Sequence, residues 1–370
     1  MYPKQKNMAL LTPITTHFLN DGQLMSDELI ERGHINRTYM SVIRTAGVTE
    51  RFIHQHINKF VFPNPPAMMN NIRRVVDHVN SKTPNIAEHL TLIPSETGKD
   101  FYLDENNEYW RCFRYVEGST TFDIVPNPDI AYKAAVAFGS FLNKLSDLPT
   151  KDFHITIPDF HNTLFRLKQF DEARHNPAPG RIELAEDEIA FVESNRALAG
   201  RLMQIVHNHP EAIRIVHNDT KVNNVLFCEK TLEALTVIDL DTVMPGTVLF
   251  DIGDLIRTGT STSAEDEQDL SLVQFDIEKF AAIIRGFAET TGKSLHPAEW
   301  SAMPVCGAVI TLTIGIRFLT DYLNGDKYFK THRENHNLDR CRTQFELVRQ
   351  MLDQLPQLEK IVAEAKAATV

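Results

Sequence analysis

The sequence predicts an α+β chain of two lobes: a small β-rich N-lobe over residues 1–116, then a mainly helical C-lobe over 117–370 with one inserted hairpin. Three observations carry this. At 370 residues the chain exceeds what one core comfortably holds. Up to Gly118 it reads as runs of β-branched and aromatic residues with one clear helix. Beyond Gly118, apolar residues recur at helical spacing almost throughout.

Arg37–Arg44 and Glu50–Phe62 read as a hairpin turning at Ala46-Gly47. Pro65-Pro66 opens a helix in which Met68, Ile72, Val75 and Val79 share a face. Strands near His89–Ile93 and Tyr109–Val116 complete the sheet, and Glu117-Gly118 punctuates the chain. In the second lobe Ala134, Phe138, Phe141 and Leu145 form one helical stripe. Ile189, Val192, Leu202 and Ile205 form another, and Leu338, Cys341, Phe345, Val348, Leu352 and Leu355 a third. The exception is Arg214–Asp239, where Val225–Phe227 and Leu235–Ile238 flank a turn.

Composition excludes several classes. A net charge of −11 disfavours non-specific binding to nucleic acid or anionic membrane. The four cysteines, Cys112, Cys228, Cys306 and Cys341, form no CxxC pair, so neither a zinc knuckle nor a disulfide framework is expected. Polar residues from Thr12 to His17 interrupt any signal-peptide core, and the apolar run Cys306–Ile316 stops at Arg317, short of a bilayer span. The expectation is a soluble, cytoplasmic protein. Gly292-Lys293-Ser294 looks like the end of a P-loop, but the upstream glycine it needs is Phe287. His54, His56, His207 and His209 read as surface or strand-face residues rather than metal ligands. No G-x-S-x-G occurs.

The segment richest in chemistry is His217-Asn218-Asp219-Thr220-Lys221-Val222-Asn223-Asn224, followed by the apolar run Val225–Phe227. It has the H-x-D spacing of a kinase catalytic loop, with an Asn five residues after the Asp. Phosphoryl transfer needs an Asp to orient or deprotonate the attacking hydroxyl, and an Asn to hold magnesium on the phosphates. Fifteen residues past Asn224, Asp239 follows Leu235–Ile238, where a strand end presents a second metal-binding carboxylate. Asp241 is its rival.

VHNDTKVNNVLF and VIDLDTVMPGTVLFDIGDLIR resemble the aminoglycoside phosphotransferase and choline kinase superfamily. Within it the chain looks most like the N-acetylhexosamine 1-kinase group, through GHINRTY at Gly33–Tyr39, IPDFHNTLFR at Ile157–Arg166 and RFLTDYLNGDKYFK at Arg317–Lys330. The resemblance runs from about residue 15 to 355 and implies a protein-kinase-like fold, ATP and Mg2+ as cofactors, and a small sugar as acceptor. It implies Asp219 as catalytic base, Asn224 and Asp239 as magnesium ligands, and Gly33 to Tyr39, with Asn36, as the phosphate-covering turn. Arg114–Val116 takes the place of the hinge, whose backbone would read adenine. Arg317 and the Asp251–Arg257 segment, including Arg257, point to the acceptor, with Asp251 more suited to fixing the catalytic loop. Thr313 stands where an acidic residue is expected in this group.

The sequence departs from the general kinase pattern in one respect. Gln55 occupies the place of the phosphate-binding lysine, and the following helix offers Asn70 and Asn71 but no glutamate. Strand alternation puts Ile53 and Gln55 on one face. Lys221, two residues after Asp219, is the substitute cation this sequence suggests. A nucleotide-binding pseudokinase and a kinase for another alcohol (a different sugar, an aminoglycoside or choline) stay open. No D-F-G or A-P-E follows the loop, which disfavours a protein kinase.

Overall fold

The computed structural model describes residues 8–30 and 35–369. The chain divides into two compact units: Met1–Ser119 with Lys151–Pro158 and Ile238–Met244, and Thr120–Thr150 with Asp159–Val237 and Pro245–Val370.

In the first unit, α1 (Met8–Thr16) precedes β1 (Gln23–Ile30), β2 (Arg37–Thr45), β3 (Val48–His56), α2 (Pro65–Ser81), β4 (Leu92–Ile93), β5 (Tyr102–Leu103) and β6 (Tyr109–Arg114). The sheet is antiparallel, in the order β1-β2-β3-β6-β4, with β5 also on β6. The expected hairpin turns at Ala46 and Gly47, both left-handed at φ 50° and 86°, the geometry of a tight two-residue hairpin loop.

Three details differ from the sequence reading. β3 ends at His56 rather than Phe62, because the Asn58 side chain accepts the Phe60 N–H at 3.0 Å and turns the chain. The strand expected over 89–93 is only Leu92–Ile93, after a 3₁₀ turn capped by Asn85. The unit also holds a second helix, α1: Leu11 and Ile14, with Phe18 just beyond it, pack with Tyr39, Ile43, Phe52 and Trp110. This tertiary burial stabilises nine residues that contain Pro13 and are too short to be helical alone.

α2 has the expected buried face of Met68, Ile72 and Val75, and Asn64 caps it. Asn71, fully buried on that helix, holds the two returning segments. Its Nδ2 donates to the carbonyls of His154 at 2.8 Å and Val243 at 3.0 Å, and its Oδ1 accepts the His154 N–H at 3.0 Å. Sequence reasoning drew one boundary after residue 116; the returns depend on this amide, which local patterning does not reveal. Asn71→Ala strands the buried Val243 carbonyl, frees both His154 backbone groups and is expected to lower unfolding free energy by about 1–3 kcal/mol, read by urea denaturation.

After β7 (Ser119–Thr120), the second unit is helical. It comprises α3 (Pro128–Leu145), α4 (Thr163–His175), α5 (Glu186–Ser194), α6 (Arg196–Ala199) and α7 (Arg201–Asn208), then β8 (Arg214–Val216), β9 (Val225–Cys228) and β10 (Ala234–Val237). β11 (Met244–Gly246) leads into α8 (Val248–Gly259), α9 (Ile277–Thr291), α10 (Pro297–Leu323), α11 (His336–Asp353) and α12 (Leu355–Ala367). β9 and β10 form the expected inserted hairpin. The stripe through Ile189 and Leu202 is three helices, broken at Asn195 and Gly200, rather than one. Gly292–Ser294 is a 3₁₀ turn at the end of α9, not a phosphate loop.

α10 corrects the reading of the apolar run. The run lies inside a 27-residue helix that is long and apolar enough to cross a membrane by length and composition. Of its apolar window, 83% is buried, as in the core helix of a soluble protein. Leu312, Ile316 and Leu319 pack there with Phe170, Val192, Phe345 and Val348.

Candidate active site

In the second unit, β8 delivers the chain to His217, and four contacts hold the loop that follows. The His217 ring is buried edge-on between Phe138 and Phe141, with centroids 5.4 and 5.8 Å away. The Asp251 carboxylate on α8 accepts the backbone N–H groups of His217 at 2.9 Å and Asn218 at 2.7 Å. The Thr220 hydroxyl donates to the Asp251 carbonyl at 2.5 Å. Gly246 permits close approach, since a Cβ there would meet Val216 Cγ2 at 2.7 Å. Asp251 thus fixes the loop from beneath. Burial raises its carboxyl to about 7, against the pull of the two N–H donors.

Asp219 stands at the open end of this loop. Its Oδ1 pairs with Lys221 Nζ at 2.8 Å, and Asn224 Nδ2 donates to its Oδ2 at 3.1 Å and its backbone carbonyl at 2.8 Å. Burial alone would raise the Asp219 pKa; Lys221, His217 and Arg257 outweigh it and hold the carboxyl below its ordinary value. Burial likewise opposes the Lys221 ammonium, but Asp219 and Asp254 keep its pKa raised. The pair is therefore ionised at neutral pH, as a base requires. With Nδ2 of Asn224 turned to Asp219, its Oδ1 is the atom left to face a cation.

The neighbouring residues come from three elements. On α8, Arg257 Nε donates to Asp254 Oδ1 at 2.8 Å and Arg257 Nη1 to Glu265 at 3.1 Å; Asp254 Oδ2 is buried without a partner. His161, a residue the sequence reading left without a role, bonds through Nε2 to the Asn218 carbonyl at 2.8 Å, and its Nδ1 is buried and unpartnered. On α10, the Arg317 guanidinium lies over Phe160, Tyr328 and Phe329, 5.7, 5.9 and 5.4 Å from their centroids. Arg166 braces this wall by donating to the carbonyls of Asp159 at 3.1 Å and Phe160 at 3.3 Å. Thr313 faces Thr163, hydroxyl to hydroxyl at 2.8 Å, and brings no charge to Arg317.

In the first unit, Gln55 accepts from Arg111 Nε at 2.8 Å and donates to Thr38 at 3.0 Å. Arg111 lies directly opposite Gln55 on β6 and is 1% exposed. Its Nη1 pairs with Asp241, whose other oxygen accepts Asn36 Nδ2 at 2.7 Å. Both Asp241 oxygens are thereby engaged. Asp239 itself takes a left-handed conformation, φ 61°, before the turn Leu240–Thr242. Arg111 is the cation that the sequence alone does not single out, because its place across the ladder from Gln55 is set by the β3–β6 register. The Asn36 side chain is spent on Asp241 and on the Asn58 N–H at 3.0 Å. Arg114 pairs with Glu50, and the Val116 carbonyl accepts the Ser119 hydroxyl at 2.6 Å. Gly33 lies outside the described residues.

The histidines give a pH prediction. Burial lowers His54 and His161 each to about 4, so both are neutral when folded. A lowered pKa contributes stability that is complete above the unfolded value near 6.5 and is lost as pH falls through 4. Each is expected to remove about 3 kcal/mol over that interval, while Asp251, shifted upward, opposes them. Stability measured from pH 7 to 4 should fall, and His54→Phe should flatten the decline. His56 pairs with Glu108 at 3.0 Å. His209 and His296 face Glu211 at 3.1 and 3.3 Å, but His296 Nδ1 accepts the Ala298 N–H, so its proton sits on the Nε2 facing Glu211. That is a hydrogen-bonded helix cap.

The profile of the phosphotransferase enzyme family matches residues 28–283, more than two thirds of the chain. Among solved structures, a microcompartment-associated aminopropanol kinase is similar at 15% identity and TM-score 0.65, covering 95% of this chain and 98% of that one. An aminoglycoside phosphotransferase from Alicyclobacillus acidocaldarius matches at 11% and 0.63, covering 94% and 96%. A choline kinase from Cryptosporidium parvum matches at 16% and 0.54, covering 92% of each. The β-rich and helical units with their inserted hairpin are the protein-kinase-like fold of these structures. The chain therefore belongs to the phosphotransferase enzyme family, and its fold is that of aminoglycoside phosphotransferases and choline kinases.

Proposed function

We propose that the protein transfers the γ-phosphate of ATP to the anomeric hydroxyl of an N-acetylhexosamine, N-acetylglucosamine or N-acetylgalactosamine, giving the sugar 1-phosphate. The observation that carries this reading is the charge around Asp219. Choline, aminoglycosides and amino alcohols are cations and call for unpaired carboxylates or an empty aromatic cage. Here the rings of Phe160, Tyr328 and Phe329 surround the protein's own Arg317, and Asp254 already pairs with Arg257. Guanidinium donors suit the hydroxyl and acetyl oxygens of a neutral sugar.

Asp219 accepts the proton of the anomeric hydroxyl and aims its oxygen. That oxygen is more acidic than an ordinary alcohol, so positioning carries most of the rate. Asn224, through Oδ1, and Asp239 are the residues that would offer oxygens to Mg2+, which would supply positive charge against that of the transferred phosphate. Related solved proteins bound to ADP, AMP and GDP support a nucleotide donor. As the resemblance implies, Asn36 through its backbone and Gln55 would face the phosphates, and the backbone of Arg114–Val116 the adenine. Lys221, paired with Asp219, keeps the base ionised, and its ammonium is the cation we assign to the γ-phosphate.

A panel of acceptors with ATP consumption as readout tests this. Both N-acetylhexosamines should be phosphorylated and their 1-O-methyl glycosides inert. Plain glucose and galactose should be poorer by about ten- to a hundred-fold in kcat/KM, since they leave a buried polar group unpaired. Comparable turnover of a 1-O-methyl glycoside overturns anomeric transfer. Preference for choline, an amino alcohol or an aminoglycoside overturns the substrate class, and ATP binding without turnover of any acceptor makes the protein a pseudokinase.

A further inference from the structure

Arg317 has no carboxylate within ion-pair distance among the described residues. Burial lowers its pKa, against the opposing pull of Tyr328. Its direction is therefore set by the rings around it, two of which, Tyr328 and Phe329, lie beyond the end of α10. The backbone of that segment is held by one carboxylate together with a buried amide that ties it down.

Asp321 sits one turn after Arg317 on α10 and is 5% exposed. Its Oδ1 accepts the backbone N–H groups of Lys327 at 2.9 Å and Tyr328 at 2.8 Å, and its Oδ2 accepts that of Phe329 at 2.9 Å. Its own carbonyl accepts the Asp326 N–H at 2.8 Å. The chain can double back this tightly because Gly325 and Asp326 are left-handed, at φ 88° and 59°. Asn337, fully buried on α11, then ties the parts together: its Nδ2 donates to Asp321 Oδ2 at 2.9 Å and Asp326 Oδ1 at 2.8 Å. Arg181 closes the far side on Asp326 at 2.8 Å.

Three successive N–H groups on one carboxylate are not what caps a helix end, because the last turn of a helix leaves carbonyls in want of donors, which a carboxylate cannot supply. They fix instead the backbone directions of residues 327–329, and so the rings that confine Arg317. We infer that Asp321 is a positioning residue for the acceptor site, acting through Tyr328 and Phe329 on Arg317 and touching no substrate itself. This rests on the reading of Arg317 as an acceptor-binding group.

The test uses the full-length protein and N-acetylglucosamine, or whichever alcohol the panel shows to be turned over. Asp321→Asn keeps the size but removes the charge and offers the three N–H groups one oxygen. It is expected to raise the acceptor KM by about tenfold or more, leaving the ATP KM unchanged and kcat within about threefold. Arg317→Lys is run beside it and should raise the same KM. An unchanged acceptor KM in Arg317→Lys sinks the acceptor-site reading, whatever Asp321 does. A raised KM in Arg317→Lys with an unchanged one in folded Asp321→Asn sinks the positioning role alone. Lower kcat at constant acceptor KM marks Asp321 as merely structural and has the same force. Should Asp321→Asn fail to fold, Asn337→Ala, which removes the tie but leaves the clamp, should raise the acceptor KM by about threefold; no change there overturns the inference.

Discussion

Asp219→Asn is expected to lower kcat by roughly a thousand-fold or more, with the KM for ATP changed by less than about threefold. The substitution keeps the volume and leaves an oxygen to accept from Asn224. It removes the negative charge that Lys221 and the loop hold in the ionised state, and with it the group that accepts the acceptor's proton. Single-turnover rates at saturating ATP and acceptor give the comparison. Turnover close to that of the unmodified protein would remove this loop from the chemistry.

Arg111→Met should destabilise the protein by about 3–5 kcal/mol, the usual cost of stranding one half of a buried ion pair. Arg111 and Asp241 are 1% and 3% exposed, and without the guanidinium the Asp241 carboxylate keeps, among the described residues, only the Asn36 amide. The double variant Arg111→Met with Asp241→Leu should recover much of the loss, because neither charge then remains buried. Denaturant unfolding reads both. The opposite pattern, intact stability with a KM for ATP raised tenfold or more, would make Arg111 a direct phosphate ligand in the role that the strand lysine plays in other kinases.

The pair also shows where sequence reasoning stops. The loss of the lysine at Gln55 is plain in the chain, and Lys221 is the nearest substitute along it. Arg111 is 56 residues from Gln55 and Asp241 another 130 away, so their meeting depends on β3–β6 register and on a segment that rejoins the first unit after the hairpin. The same holds for Asn71, whose three bonds tie α2 to residues 154 and 243. Local periodicity carries no trace of such partners.

By itself the sequence determined the β-rich and helical parts, the Ala46-Gly47 hairpin, the inserted strands and the loop from His217 to Asn224. Each of these is written in short-range patterns: a period of 2 or 3.6, paired turn residues, or a fixed motif spacing. Only the tertiary structure decided that α1 is a helix, that α10 is a buried core helix, that Asp241 is engaged by Arg111 and Asn36, and that Asp321 grips the segment confining Arg317. The physical reason is shared. A helix too short to stand alone, a buried charge and an unpaired N–H are each resolved by whatever group packs against them, and those groups are brought near only when distant stretches of chain close on one core.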